Sequence, residues 1–303
     1  MTRRMVRKGA AGLGALLLMA VSLLAVAPAA LAVQTDQYDP FTACPTGNPA
    51  LNDPAKEIAI CAAGNGSGVL TIGDETVQLR QLGLQFAATG LGQAEPECPQ
   101  PEACFGQVPG TTVLEAAPSA FWVGPPGNPK PNPGKGKALQ LKITPEAAGD
   151  VSAVSPGFLF GVQLPLYKLP LKLHLEAPWL GDDCYVGSNQ NPIVFNPFVV
   201  GPPADFKFLP DPNGFEVETL LFTDMPLADK AMAIPRAHDC GHGGSRSDAK
   251  ANAQVDELLG LPSAAGLNQL VLPHADLDFV GAGYNGQAPD GGASLQAAFE
   301  AAE

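Results

Sequence analysis

Leucine alternates with other residues along one segment in the middle of the chain, and this alternation is the clearest structural signal in the sequence. Every second residue is a leucine: Leu169, Leu171, Leu173 and Leu175. Because successive side chains of a strand point to opposite faces, the pattern predicts a strand over Lys168–Glu176 with one buried and one solvent-facing side. Such one-sided strands are typical of antiparallel sheets. Pro170 lacks an N–H, so we expect this strand at a sheet edge or at a bulge.

Shorter apolar or alternating runs predict further strands, some of them paired as hairpins: Val69–Ile72 with Thr76–Leu82, Ala138–Thr144, Phe206–Leu209 with Phe215–Phe222, and Leu267–Leu272. Helical spacing that ends at Gly260 predicts a helix near 248–259, and shorter helices are expected over Pro54–Cys61 and Ser294–Ala302. The content of 31 prolines and 34 glycines argues against many long helices. The predicted fold class is mainly β, an antiparallel sandwich or partly open barrel, disulfide-linked, with one short helix near the C-terminus.

The N-terminus has the composition of a secretory signal peptide. Four cations and no acid stand within Met1–Lys8, an apolar run covers Ala10–Ala27, and small residues follow. These features predict a cleaved signal peptide over residues 1–32. The alternative is a retained membrane anchor, since about 18 apolar residues can span a bilayer. Pro28 beside the small residues favours cleavage, and no later run is long enough to span a membrane.

The rest of the chain divides by composition into three parts. Residues 33–137 are loop-rich, carry two cysteine pairs and end in a Pro/Gly-rich segment at 124–137. Residues 138–290 are expected to form a β-rich core, and residues 291–303 a tail or short helix. The Pro/Gly-rich segment is either a linker between domains or a long exposed loop within one domain. The loop is favoured because neither side alone shows an obviously complete core.

The charge balance restricts the class of partner. The chain has a formal net charge of −13, and removing four of its 17 basic residues with the signal peptide leaves 13 against 30 acidic residues. Nucleic acids and anionic membranes are bound chiefly through lysine and arginine, so the acidic surface argues against both. The expected partner is an unidentified component of the cell envelope or the extracellular space.

Six cysteines indicate disulfides, because an even number in an exported chain is typical of a disulfide framework. Fifteen pairings are possible for six cysteines. The simplest is sequential: Cys44–Cys61, Cys98–Cys104 and Cys184–Cys240.

Three segments carry a resemblance to a known group of proteins. Leu-Pro-Leu-Lys-Leu-His-Leu-Glu leads into Leu-Gly-x-x-Cys-Tyr-Val-Gly-Ser, a second cysteine motif spans Ile234–His242, and Leu-Pro-Ser-Ala-Ala-Gly-x-Asn ends at Asn268. In these segments the chain resembles a group of exported actinobacterial proteins without an assigned function. The resemblance implies that Cys184 and Cys240 pair and that residues 138–272 form a shared core. It supplies no catalytic residue.

The cluster His238-Asp-Cys-Gly-His242 is the strongest candidate for a metal site, and it is a weak one. A closed zinc site needs four ligands, and only His174 or His274 offers a further imidazole. Cys240 cannot be a thiolate ligand if it is in a disulfide. A glycine-rich disulfide loop with exposed histidines is the favoured interpretation, so neither a metal nor any other cofactor is expected.

No motif indicates a catalytic residue. Ser247-x-x-Lys250 matches a motif of penicillin-interacting enzymes, but its companion motifs are missing. Carboxylate pairs for glycoside hydrolysis come from distant positions, and the sequence points to no particular pair. Two tryptophans and four tyrosines are few for a carbohydrate-binding platform. The favoured function is a secreted, non-catalytic structural or binding protein of the bacterial cell envelope or extracellular space. The alternatives are a secreted hydrolase with a dispersed carboxylate or metal site, and a carrier for a lipid or other apolar ligand.

Overall fold

The structure is a computed structural model that describes most of the chain after residue 36. The described residues are 37–90, 105–123, 139–152, 154–155, 165–211, 215–283 and 290–302. The predicted signal peptide at 1–32, the predicted Cys98–Cys104 pair and the Pro/Gly-rich segment at 124–137 lie outside them.

Strands dominate the described residues, with two α-helices near the C-terminus. The strands are β1 (Ile58–Ile72), β2 (Glu75–Gly90), β3 (Phe105–Gln107), β4 (Val113–Ala116), β5 (Ser119–Val123), β6 (Leu139–Ala147), β7 (Leu169–Glu176), β8 (Tyr185–Val186), β9 (Ile193–Phe195), β10 (Phe198–Val199), β11 (Asp205–Pro210), β12 (Val217–Asp229), β13 (Ala237–His238) and β14 (Gln269–Ala282). The helices are α1 (Ser245–Leu259) and α2 (Gly291–Ala302), and short 3₁₀ helices cover Asp39–Phe41 and Pro49–Asn52.

The strands form two antiparallel sheets. The first sheet has the order β10-β12-β14-β1-β2-β3, with β11 paired to β12 and β4 paired to β2. The second sheet has the order β13-β8-β7-β6-β5, with β9 paired to β7. The first sheet therefore combines strands from the beginning and the end of the described chain. Because β1 and β14 are paired over nearly their whole lengths, the N-terminal region is part of the main sheet.

The inner faces of the two sheets enclose one hydrophobic core. A single cluster of buried side chains includes Ile60 and Phe86 of the first sheet together with Leu141, Leu171 and Leu175 of the second. The sheets curl into a half-barrel, and they approach each other where β2 contacts β5. The predicted fold class, a mainly β antiparallel sandwich or partly open barrel with disulfides, is confirmed.

The predicted helix over Pro54–Cys61 is wrong, because β1 begins at Ile58. All six residues of Ile58–Ala63 are buried. Alternate side chains enter the core between the sheets and a second apolar cluster on the other side of the first sheet. A strand that is covered on both faces has no polar alternation to reveal it in the sequence.

Pro170 does not mark a sheet edge, because β7 lies between β6 on one side and β8 and β9 on the other. The four leucines of β7 are nevertheless buried as predicted. The ladder with β6 ends where Ala147 pairs with Leu171, and the Pro170 carbonyl then accepts a hydrogen bond of 2.9 Å from the Ala148 N–H. The missing proline N–H therefore falls at the end of this ladder.

Helix α2 and the two 3₁₀ helices cover the outer face of the first sheet. Buried side chains of this cover include Phe41, Leu51 and Leu295. The helix lies close to the strands, because a Cβ added at Gly291 would come within 2.6 Å of the Ala59 Cβ. We call the outer face of the first sheet, where these helices pack, the covered face.

Two disulfides are present, and both match the sequential pairing predicted from the sequence. Cys44–Cys61 joins the N-terminal turns to β1 beneath the covered face. Cys184–Cys240 joins the segment before β8 to the segment before α1, and both cysteines are fully buried. Helix α1 begins at Ser245, three residues before the predicted start, and ends as predicted at Leu259, with Gly260 as its C-cap in the left-handed conformation.

Candidate functional site

The outer face of the second sheet carries aromatic and charged side chains that stay exposed or half-buried. We call it the open face, and its outward side chains are Trp122, Gln140, Lys142, Glu146, Lys172, His174, Glu176, Tyr185 and His238. The period-2 alternation of β5, β6 and β7 places the residues between these positions in the core. Strand pairing sets Trp122 opposite Gln140, and Lys142 opposite Glu176.

Three rings form a stacked row across the open face. Tyr185 lies between His174 and His238, with ring centroids 4.8 Å and 6.1 Å apart and interplanar angles of 24° and 23°. The Lys172 ammonium is 4.6 Å from the centre of the Tyr185 ring, a cation–π distance. Burial raises the pKa of the Tyr185 hydroxyl, and the nearby Glu146 carboxylate adds to the rise. The three rings and the Lys172 ammonium therefore lie next to one another on the outer side of the second sheet.

Ion pairs balance the charges of the open face. Lys142 Nζ lies 3.5 Å from Glu176 Oε2, and Lys172 Nζ lies 3.3 Å from Glu146 Oε2. His174 Nε2 is 2.8 Å from the Asp182 carbonyl oxygen. Because each cation on β6 and β7 has a carboxylate neighbour, the face presents paired charges and no patch of one sign.

A groove of about 800 Å³ opens on the open face. Trp122 stands at one side of it with 55% of its surface exposed, and Trp179 is half-buried against the core. The Trp179 Nε1 is buried and has no hydrogen-bond partner in the described part of the chain. Polar residues also line the groove: Gln140, Lys142, His174, Glu176 and Asp182. We call it the two-tryptophan groove.

A second, polar pocket of about 530 Å³ lies beyond the His174–Tyr185 stack, beside the buried Cys184–Cys240 disulfide. The segments joined by this disulfide approach very closely, since a Cβ added at Gly181 would overlap the Gly241 carbonyl. The pocket is lined mainly by residues of the two cysteine motifs, which the fold brings together: Asp183, Tyr185, Ser188, Asn189, Gln190, His238, Asp239, Gly241 and Gly243.

The two histidines proposed as metal ligands have different environments. His238 Nε2 is 2.8 Å from the Gly187 carbonyl oxygen, and its Nδ1 is 2.8 Å from Asp239 Oδ2. His242 is exposed on the loop before α1. Within the described ranges no group of three histidine, cysteine or acidic side chains is placed to hold a metal ion. Cys240 is in a disulfide and does not offer a thiolate.

A smaller cavity lies on the outer side of the first sheet, and its lining includes two carboxylates. It measures about 150 Å³ and is lined in part by Asn65, Gln85, Glu115 and Asp278. Burial raises the pKa of the Asp278 carboxyl to about 6, and the neighbouring Asp276 adds to the rise. No motif indicates these two carboxylates, because they lie 163 positions apart on β4 and β14 and line one cavity only in the folded sheet.

The apolar cavity between the two sheets measures about 60 Å³. Pockets that bind drug-sized ligands are typically about 300–1,000 Å³. Leu171, Phe195, Leu227 and Leu272 are among the side chains that fill the space around this cavity. The buried leucines of β7 therefore pack against the first sheet, and the cavity is too small for a lipid chain.

Fold and site together define the chain as a disulfide-linked antiparallel β protein with one covered and one open sheet face. Comparison with known protein families, with curated proteins and with solved structures finds no match. No helix in the described ranges is long and apolar enough to cross a membrane.

Proposed function

We propose that this chain is an exported, non-catalytic binding protein of the cell envelope or extracellular space, and that the open face is its binding surface. The observation that carries the proposal is the contrast between the faces: helix α2 packs against the first sheet, whereas Trp122 on the second sheet is 55% exposed. Apolar patches rimmed by polar residues mark many interaction sites, and tryptophan and tyrosine are enriched among the residues that dominate binding energies.

Export is supported by the disulfides, which form and persist in oxidising compartments. The predicted signal peptide at 1–32 and the resemblance to exported actinobacterial proteins point the same way. The acidic chain, with its net charge of −13, suits a partner other than nucleic acid or an anionic membrane.

The polar side chains of the open face pair with one another, which supports binding in preference to catalysis. His174 lies against a backbone carbonyl, and Lys142 lies against Glu176. A catalytic site needs a nucleophile or base within reach of a reacting group, together with a third group that orients it. The paired charges instead hold the aromatic rings and the rim of the groove in place.

Sedimentation with purified cell-envelope material tests the proposal. We expect the purified protein to co-sediment, and the double variant Trp122→Ala/Tyr185→Ala to remain in solution. The matched control is Phe208→Ala, which removes an aromatic ring that is 51% exposed on the first sheet. Absence of co-sedimentation, or equal loss in the control, would refute the proposal.

A second candidate function is a hydrolase that uses Asp278 and Glu115. The shared cavity and the raised pKa of Asp278 favour it, because a general acid must stay protonated near the working pH. The 150 Å³ cavity is small for a substrate, so this function ranks second. Turnover of a glycoside or ester by the purified protein, abolished by Asp278→Asn, would favour the hydrolase over the binding protein.

A further inference from the structure

We infer that the two-tryptophan groove binds a neutral glycan, with a sugar ring stacked on Trp122. This inference rests on the proposed function and names the ligand class of the same face. The chain has only two tryptophans, and both line this one groove. They come from positions 57 residues apart, on β5 and on the turn after β7.

Trp122 offers the flat apolar surface that a sugar ring needs. Trp122 is 55% exposed on the edge strand β5, and its outward neighbours on β6 are the polar Gln140 and the charged Lys142. One face of a pyranose ring carries mainly C–H groups, which pack against an aromatic ring, while the hydroxyls point outward to polar groups. A single exposed ring among polar neighbours matches this amphipathic ligand better than it matches a lipid chain.

The rim of the groove offers hydrogen-bonding groups for the hydroxyls. Gln140 lies opposite Trp122 in the strand pairing and has both an amide donor and an acceptor. Lys142 and Glu176, paired at 3.5 Å, supply a charged donor and a charged acceptor at the next position along the strands.

The charges of the groove favour a neutral ligand. Lys142 is compensated by Glu176, and Asp182 adds a further carboxylate to the lining. The chain as a whole carries a formal net charge of −13, so a polyanionic glycan is repelled at long range. Because the local lysine is already paired, it does not form a site for a sulfate or uronate group.

A peptide fits the groove less well than a glycan. Peptides that join a sheet pair with the backbone of an unpaired edge strand. The groove lies on a side-chain face, where Trp122, Gln140 and Lys142 project from the paired strands β5 and β6. Side chains must therefore hold the ligand. Stacking of a sugar ring on Trp122 and hydrogen bonds from side chains to the sugar hydroxyls meet this requirement.

Affinity electrophoresis in native gels tests the inference. The gels contain soluble neutral polysaccharides (a β-1,3-glucan, an α-1,4-glucan, a mannan and an arabinogalactan), and a parallel gel contains the anionic polymer alginate. We expect at least one neutral polysaccharide to retard the purified protein. Trp122→Ala should weaken that retardation at least tenfold, Trp122→Phe should restore part of it, and Phe208→Ala should leave it unchanged.

The glycan assignment would be overturned if alginate were the only polymer that retards the protein, or if none of the polymers retarded it. It would also be overturned if Trp122→Ala were retarded as strongly as the unchanged protein. Periodate, which cleaves the vicinal diols of sugars, separates this failure from failure of the proposed function. If envelope material still binds the protein in a Trp122-dependent way after periodate treatment, the ligand is a peptide or other non-sugar component, and the open face remains the binding surface. If untreated envelope material binds nothing, both proposals fail.

Discussion

The outer faces of the two sheets are built for different neighbours. On the first sheet, small and apolar residues such as Ala59 and Val280 lie beneath Leu295 of α2, and the Cys44–Cys61 disulfide ties down the turns above them. On the second sheet, the outward positions carry Trp122, Tyr185 and paired charges. Where a helix covers the outer face of a sheet, the strands are apolar at successive positions. Where the outer face is open to solvent, the strands alternate between apolar and polar residues.

The difference implies that side chains on the covered face maintain the fold, while side chains on the open face contribute little to stability and are available for a ligand. Changes on the covered face should therefore alter the free energy of unfolding, and changes on the open face should alter binding. The variants below test this division, from the largest expected effect to the smallest.

Removal of the Cys184–Cys240 disulfide should have the largest effect, because this fully buried bridge joins the segment before β8 to the segment before α1. The cysteines are separated by 56 residues, and loop-entropy arguments give such a bridge about 4 kcal/mol. We expect the double variant Cys184→Ala/Cys240→Ala to lose about that much free energy of unfolding in urea titrations. A loss below about 1 kcal/mol would show that close packing alone holds these segments together.

Leu295→Ala should lower the free energy of unfolding by about 2–4 kcal/mol, because it leaves a cavity under α2 where Leu295 is fully buried. Trp122→Ala should change it by no more than about 0.5 kcal/mol, since the ring is largely exposed. Urea titration of the two variants side by side compares the faces directly. Equal losses would mean that Trp122 has a structural role.

Asp278→Asn should stabilise the protein near pH 7. Burial raises the pKa of Asp278 to about 6, so between pH 4 and pH 6 the unfolded chain releases a proton that the folded protein keeps. Stability contributed by the protonated carboxyl is therefore lost as the pH rises through this window. The neutral amide should recover up to about 2 kcal/mol at pH 7 and almost nothing at pH 4.

Urea titrations at the two pH values measure the effect of Asp278→Asn. Asp183→Asn on the exposed turn before β8 is the matched control, and we expect it to change stability by less than about 0.5 kcal/mol at both pH values. A stabilisation by Asp278→Asn that is the same at pH 4 and pH 7 would contradict the burial of a titrating carboxyl.

Lys142→Ala should have the smallest effect on stability. The Lys142–Glu176 pair is exposed, with 54% and 42% of the two side chains accessible, and such pairs contribute about 0–1 kcal/mol. We expect thermal unfolding to be nearly unchanged while retardation by a neutral polysaccharide weakens. Unchanged binding would show that the Lys142 side chain does not contribute to polysaccharide binding.

Sequence patterns predicted the open face better than the covered one. The alternation of Leu169–Glu176 gave a strand with its buried side correctly assigned, because solvent on one face preserves the period of two. Residues Ile58–Ala63 are buried on both sides, so their pattern has no period of two, and the helix predicted over Pro54–Cys61 is wrong. The disulfide pairing followed from sequential order, and the structure confirms it for Cys44–Cys61 and Cys184–Cys240.

The candidate site could not be predicted, because it depends on where residues meet. Two tryptophans in the whole chain argued against a carbohydrate platform, yet strand pairing and the turn after β7 place Trp122 and Trp179 at one groove. One local sign was present in the sequence: in Ala-Phe-Trp-Val, alternation puts Phe121 and Trp122 on opposite faces. The number of tryptophans in a sequence does not show how close together they lie in the folded chain.

Tryptophan emission during a glycan titration tests the central claim most directly, because both reporters line the proposed groove. We predict that the neutral polysaccharide that retards the protein in gels produces a saturable change in emission, and that Trp122→Ala abolishes saturation in the same concentration range. Emission that stays constant while the protein is fully bound would place the ligand outside the two-tryptophan groove and contradict the assignment of this groove as the glycan site.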